Sequence, residues 1–453
     1  MENGRYTIIK ERIMKRLNRG KLLLIVISFL PLSILEANPG FSRQMDMGCM
    51  ACHNQTMSQL NSFGRKFAAS GFTMASGEES MIDGDAIKLG LPLAVNAGIL
   101  LKARYTKSIP KDDDVYEDVG SERGNLEIFK TSKLFFGGKI ADNVGGFVNY
   151  EDDNFGGKVI FSYELGSGYA GVTTYMQNDF GPFSGMEFYN TGLYAPLKLF
   201  ENRKGTNAAQ ATDVGHGPAT GMQAYYADDI FYLMGGAYVP ATSKHEGLDV
   251  GSDVIGIGRI AIAPTFGDWT FMVGGYAIGG TATMSDAALN NNQPEAGVSE
   301  LIDIERESYG LDAQIEGNLG SVSTVLTLNA VLYNKTKLHN STTGVDYDEL
   351  HFADDLEYKA GENEAFSAEL QVNPWEPFGV KVSYLHYNDK YDYRYSSSPT
   401  EKQNKWDRDD YTVGLDYSYR QNVRFAVEYT YSERDKSDVS DVKDVFVYAI
   451  LGF

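Results

Sequence analysis

The sequence predicts an all-β protein: an antiparallel outer-membrane β-barrel of about sixteen strands, with a small helical segment ahead of it. Apolar and polar residues alternate with period two along most of the chain beyond residue 89, the signature of strands with one greasy and one wet face. Connections between these strands alternate short and long, and tyrosines collect at strand ends, as interfacial girdles require. The composition agrees, with 48 glycines, 29 tyrosines and 24 phenylalanines in 453 residues. Beyond the N-terminal leader no apolar stretch reaches the roughly 18 residues that a membrane helix needs. The formal charge of −21 sets nucleic acid aside as a partner and favours cations.

In chain order, the first element is a secretory signal peptide over 1–37. Lys15, Arg16, Arg19 and Lys21 precede an apolar run over 22–30, and Ala37 supplies a small residue for cleavage. Met14 is an alternative start, and an uncleaved anchor is the competing reading. Pro31 and the polarity after Ala37 favour cleavage.

Next come the two cysteines of the chain, as Cys49-Met50-Ala51-Cys52-His53. C-x-x-C-H is the haem-attachment signature: two thioethers fix one haem c covalently, and the adjacent imidazole of His53 is the proximal iron ligand. A structural disulfide or a redox C-x-x-C are the rival readings. The second expects a βαβ context that the flanking sequence lacks. Residues 54–72 read as one short helix, with Met57, Leu60, Phe63, Gly64 and Phe67 at helical spacing and Gly71 as its stop. Met57 and Met74 are the candidate distal ligands, with Met45, Met47 and Met81 close by; a vacant distal position is equally compatible. The haem segment spans 38–85 and the barrel 86–453.

Working back from Phe453 on the periplasmic side, strands are expected near 443–453, 422–434, 409–420, 378–389, 363–373, 320–334, 304–317, 267–279, 254–264, 229–239 and 218–228. Working forward gives 89–107, 125–140, 143–152, 157–165 and 168–177. Residues 187–197 would make a seventeenth strand, break the short-and-long parity and place Pro196 where a ladder needs a donor. They are assigned to one long outer loop, 178–218. Alternation alone also suits a soluble sandwich. The parity, the tyrosines and the terminal phase of Val445, Val447, Ala449, Leu451 and Phe453 decide for the membrane. A barrel of this size has an aqueous lumen. Segment 38–85 is the expected filler, a haem domain hanging in the periplasm being the alternative.

The run from Gly40 to Phe72 resembles the N-terminus of the fused outer-membrane monohaem cytochrome-porins of iron-oxidising bacteria. The matching parts are Phe41-Ser42-Arg43-Gln44, the C-x-x-C-H, Leu60-Asn61, Phe63-Gly64-Arg65 and Phe67. The resemblance implies a single-haem electron conduit across the outer membrane. An external donor such as Fe(II) would reduce the haem, and a soluble periplasmic cytochrome or other carrier would take the electron, an Fe(II):cytochrome c oxidoreductase activity. A haem-carrying diffusion porin and a haem-based sensor or peroxidase-like protein are the alternatives.

Two acidic stretches suit cation collection: Asp112, Asp113, Asp114, Glu117 and Asp118, and then Asp346, Asp348, Glu349, His351, Asp354, Asp355 and Glu357. Ordinary solvated loops look the same. His216, His245, His339 and His386 fall in expected outer loops or strand tops, none placed as a second iron ligand. No triad, carboxylate pair or phosphate loop stands out.

Overall fold

The computed structural model describes residues 39–54, 58–76, 80–82, 89–91, 96–110, 124–129, 132–151, 154–242, 253–285, 301–342, 346–347, 349–351, 357–359, 361–390, 406–435 and 441–452. The expected signal peptide, Met57, the acidic run 111–118, His245, Asp348, Asp354, Asp355 and Phe453 lie outside them.

Sixteen antiparallel strands close into a barrel: β1 (Ala97–Pro110), β2 (Lys133–Ala141), β3 (Val144–Glu151), β4 (Asn154–Leu165), β5 (Gly168–Gln177), β6 (Ala219–Ala227), β7 (Phe231–Val239), β8 (Ile255–Ile262), β9 (Trp269–Ser285), β10 (Leu301–Leu319), β11 (Val322–Asn340), β12 (Gly361–Trp375), β13 (Phe378–Asp389), β14 (Trp406–Arg420), β15 (Val423–Arg434) and β16 (Val442–Gly452). Short side pieces at Asn125–Ile128, Thr265–Phe266 and Asp346–Tyr347 are bypassed by direct pairing of their long neighbours. The seam runs from Val442↔Pro110 to Gly452↔Leu100 and leaves no free edge.

The alternation that defined the strands appears with its sense inverted relative to a soluble core. On β14, Tyr411, Val413, Leu415 and Tyr417 are about half exposed, at 48, 54, 46 and 47 %, whereas Asp410, Thr412 and Asp416 are 1, 1 and 5 % exposed. The apolar face points out and the polar face in, which water would penalise and lipid rewards. Among the described residues no helix is long and apolar enough to cross a membrane; the closed ladder satisfies the backbone instead.

The expected strand positions hold to within a few residues, with two exceptions. β1 begins at Ala97, and Leu89–Leu91 pairs separately with Ser80–Ile82 across the expected domain boundary. The expected strand 125–140 is interrupted after Asn125–Ile128, where Phe129 takes a left-handed φ of 64°, and resumes as β2. The connections 142–143, 166–167, 228–230, 263–268, 320–321, 376–377 and 421–422 all fall at one end with the start of β1 and the end of β16; at the other end only 152–153, between β3 and β4, is as short. Gly320 supplies the positive φ that the β10 to β11 turn needs.

The inside corrects one expectation outright. Segment 178–218 contains no strand, as expected, but it does not face outward. It folds into the lumen between β5 and β6 and is the larger filler, held by side chains of the far wall. Asn190 N donates to Gln314 Oε1 at 2.9 Å, Ala208 N to Ser367 Oγ at 2.9 Å, and Glu201 N to both oxygens of Glu428 at 3.0 Å. A loop that carries Glu187, Glu201 and Asn207 can be buried because the wall offers each a partner. Asn190 is 1 % exposed, so a cysteine there is expected to resist an impermeant thiol reagent in the native barrel. Labelling at the rate of an exposed loop would contradict this packing.

The N-terminal segment shares the lumen, at the short-turn end. α1 (Pro39–Met45) leads to the cysteine motif, and α2 (Ser62–Ala69) follows, shorter than the expected helix because the chain doubles back at 53–60. Arg65 reaches Glu316 on β10 with two guanidinium nitrogens, and Ala69 O accepts from Tyr225 Oη on β6 at 2.6 Å. Gly71, at φ 71°, turns the chain against β3, where a Cβ on Gly145 would lie 1.7 Å from the Gly71 carbonyl oxygen.

Candidate functional site

Cys49 opens a 3-10 turn, Cys49–Ala51, and its carbonyl accepts from the N–H groups of Cys52 at 3.2 Å and His53 at 3.0 Å. That turn brings the two thiols and the imidazole to one side of a short hairpin. Asn54 N donates to Gln59 O at 2.9 Å, His53 bridges Leu60, and Asn61 N donates to Cys52 O at 3.0 Å. Asn61 caps α2 by accepting from Gly64 N at 2.9 Å, while its amide donates to the carbonyls of Met50, Ala51 and His53 at 3.3, 3.1 and 3.3 Å. One side chain therefore ties the helix to the motif. Gly64 completes the clamp, since a Cβ there would meet Cys52 O at 2.0 Å.

The motif lies at the short-turn rim: Met50 N faces Gln421 Oε1 at 3.4 Å, in the turn between β14 and β15. The cysteines are not joined in a disulfide. Burial, and then the neighbouring Cys49, push the Cys52 thiol up to about 11. Burial lowers the His53 imidazole to about 4, despite the Gln59 backbone carbonyl, which accepts from the ring and favours its charged form, so the ring is neutral at neutral pH. Its Nδ1 is buried without a hydrogen-bond partner.

His53, Cys49 and Cys52 line a cavity of about 800 Å³, within the roughly 300–1,000 Å³ of cofactor pockets. Its apolar wall is aromatic. Phe41 stacks on Phe72 at 4.9 Å and meets Phe67 edge-on at 5.2 Å, and Phe147 of β3 lies 6.3 Å from Phe41. Phe180, Tyr194, Leu197 and Phe200 of the inward loop close the other side. Two thiols not joined in a disulfide, a neutral imidazole with a buried Nδ1 and an apolar cavity of this size fit a covalently held porphyrin.

The lining also carries cations. Lys102 Nζ lies 2.6 Å, Arg104 Nη1 3.0 Å and Lys198 Nζ 2.7 Å from carboxylate oxygens of one residue, Glu201. Burial alone would raise Glu201, but Lys198 and Lys102 hold it well below the usual carboxylate range. Burial, with Lys102 and Arg203 close by and only Glu201 opposing them, lowers Lys198 to about 7.

Of the candidate distal ligands, Met74 is not on this cavity; its carbonyl accepts from Gln44 Nε2 at 2.6 Å. Met45, 6 % exposed, and Met47 do line it. His216 belongs to the inward loop rather than an outer one and pairs with Asp179 at 2.7 Å. His339 pairs with Asp303 at 3.3 Å and His386 with Asp409 at 3.0 Å. Only the backbone of Asp346, Glu349, His351 and Glu357 is described, in short strands. Among the described residues no group of three or more His, Cys, Asp or Glu side chains could hold a metal ion. The sequence reading missed the lumenal partners Glu316 and Glu201 and the clamp role of Asn61.

The closed ladder, the greasy outer face and the polar, filled lumen define an outer-membrane β-barrel. No protein-family model and no curated protein matches the chain. Among solved structures it is similar to OmpT of Vibrio cholerae, at 12 % identity over 83 % of this chain and 100 % of that one, with a TM-score of 0.45. It is also similar to the anion-selective porin from Comamonas acidovorans, at 12 % identity over 80 % of this chain and 99 % of that one, TM-score 0.42. The outer membrane channel DcaP of Acinetobacter baumannii matches at 12 % identity over 79 % and 97 %, TM-score 0.42.

Proposed function

We propose that this chain is an outer-membrane electron conduit, carrying one haem c on Cys49 and Cys52 with His53 as proximal ligand, and passing electrons between an external donor such as Fe(II) and a soluble periplasmic carrier. The observation that carries the reading is a C-x-x-C-H motif inside a closed barrel, facing an aromatic cavity, with a buried His53 nitrogen that lacks a partner. A bound haem c supplies one-electron transfer at its iron. The cysteines would anchor it, and His53 is held neutral, the form that binds iron. Phe41, Phe67, Phe72 and Phe147 exclude water from the cavity, and Asn61 and Gly64 hold the motif still. The rim position beside Gln421 keeps the site within reach of a periplasmic partner.

Barrel size supports a second reading, a haem-carrying diffusion porin, because sixteen strands can enclose a water-filled lumen. The inward loop and the N-terminal segment oppose it, since both occupy that lumen. Proteoliposomes separate the two. The conduit is expected to pass electrons from an external donor to an enclosed acceptor with little ion conductance. Free ion conduction without electron transfer would replace it with the porin.

Gly64→Ala gives a local test. The new Cβ would strike the Cys52 carbonyl, a backbone atom that cannot move without shifting the motif. Covalent haem yield is expected to fall severalfold while the barrel still forms, read by haem staining beside heat-modifiable migration. Unchanged haem yield would refute the clamp.

A further inference from the structure

Among the described residues, seven lysine and arginine side chains line the cavity that holds the cysteine motif, against four carboxylates. The surplus sits in a chain of net charge −21, where cations are the scarcer kind. It is concentrated on one wall. Lys102, Arg104 and Lys198 all reach the carboxylate of Glu201, Arg104 pairing with Glu127 as well, and Lys102 and Glu201 are nearly fully buried. Arg203, paired with Asp179 at 3.4 Å, and Lys133, paired with Glu151, line the same cavity, Lys133 with its ammonium 4.2 Å from the Phe180 ring centroid. Buried cations in excess of their partners are costly unless an anion joins them. Glu201, Glu127 and Asp179 are three carboxylates for the four cations Lys102, Arg104, Lys198 and Arg203, which leaves room for further negative charge facing the cavity.

We propose that the cluster of Lys102, Arg104, Lys198 and Arg203 is the seat of the haem's two propionate carboxylates. The proposal rests on the haem reading above and extends it to how the cofactor is oriented. An amphipathic porphyrin, anchored by its vinyl edge at Cys49 and Cys52, has its carboxylates on the opposite edge. The same cavity offers both kinds of lining, thiols and aromatic rings for the anchored edge and cations for the carboxylates. Cations beside the propionates also favour the reduced, less positive iron, so the same wall would hold the potential up.

Two measurements test it. In the covalent holoprotein, Lys102→Gln with Arg104→Gln is expected to lower the midpoint potential with haem content retained. Heat-modifiable migration guards against misfolding, and Lys337→Gln, which removes a half-exposed charge on β11 that does not line the cavity, is expected to keep the parental potential. In the Cys49→Ala, Cys52→Ala barrel, hemin is expected to bind about tenfold more tightly, or better, than its dimethyl ester, the scale of one charge-assisted hydrogen bond. Lys102→Gln with Arg104→Gln should erase that preference. An unchanged potential with haem in place, or equal binding of acid and ester, overturns the seat alone; inorganic phosphate binding to the wall without any acid preference does so too, by making it a free-anion site. Absence of covalent haem from the parental protein would overturn the haem reading along with it.

Discussion

Cys49→Ala with Cys52→Ala is expected to abolish haem that survives denaturation, an all-or-none loss, because these are the only cysteines in the chain. A haem-stained denaturing gel reads it directly. His53→Ala should separate attachment from function: the thioethers remain, so the stain persists, while electron transfer in proteoliposomes is lost at every ionic strength. Screening weakens exposed charge pairs beyond about 8 Å at 0.15 M salt but does not act on the iron's own ligand. Covalent haem in the double cysteine variant would end the assignment.

Arg259→Ala is expected to release the inward loop. Arg259, on β8, lies 2.5 Å from Glu187 of the loop and 2.8 Å from Asp312 of β10, and all three side chains are fully buried. Removing the cation strands two carboxylates in the lumen, a loss on the order of 3–5 kcal/mol. Glu187 accepts from the N–H groups of Phe188 at 2.9 Å and Tyr189 at 2.7 Å, so the disturbance passes straight into the loop backbone. Single barrels in a planar bilayer should then change from closed to conducting, and a cysteine at Asn190 should become reactive. Retained heat-modifiable migration would establish that the barrel itself persists. A variant that stays closed, with position 190 still protected, would show that the loop does not depend on this latch.

The strands were legible because a membrane barrel writes its walls locally. Each residue's face is decided by its own parity, and Tyr411, Val413 and Leu415 need no distant information to face lipid. The parity of short and long connections, with Pro196, likewise excluded a seventeenth strand. The direction of 178–218 was not legible. It depends on Glu187 meeting Arg259, Glu201 meeting Lys102 and Asn207 meeting Glu369, partners 72, 99 and 162 positions apart by residue number. A usable signal did exist in Lys381, Glu428, Arg259 and Asp312, charges on strand faces that point into the barrel; buried charges demand partners. At the site, the cysteine motif declared itself by spacing, whereas the cationic wall is assembled from β1 and the loop and has no local signature. The helix after His53 was overextended because its apolar spacing continues through the hairpin that Asn61 terminates.

The seam between β16 and β1 has a consequence for biogenesis. Eleven residue pairs close the wall around a segment that precedes it in the chain and is already pinned to Glu316, Tyr225 and Gln421. Cys49 is buried in the finished protein and Cys52 partly so, which narrows the approach of an enzyme acting on the thiols once the wall has closed. On the proposed haem reading the expected order is export, thiol modification while the N-terminus is free, and then folding of the strands around it. A cell that lacks the attachment machinery should accumulate barrels that close slowly or around a misplaced core, so that a cofactor defect would first be noticed as a defect in outer-membrane assembly.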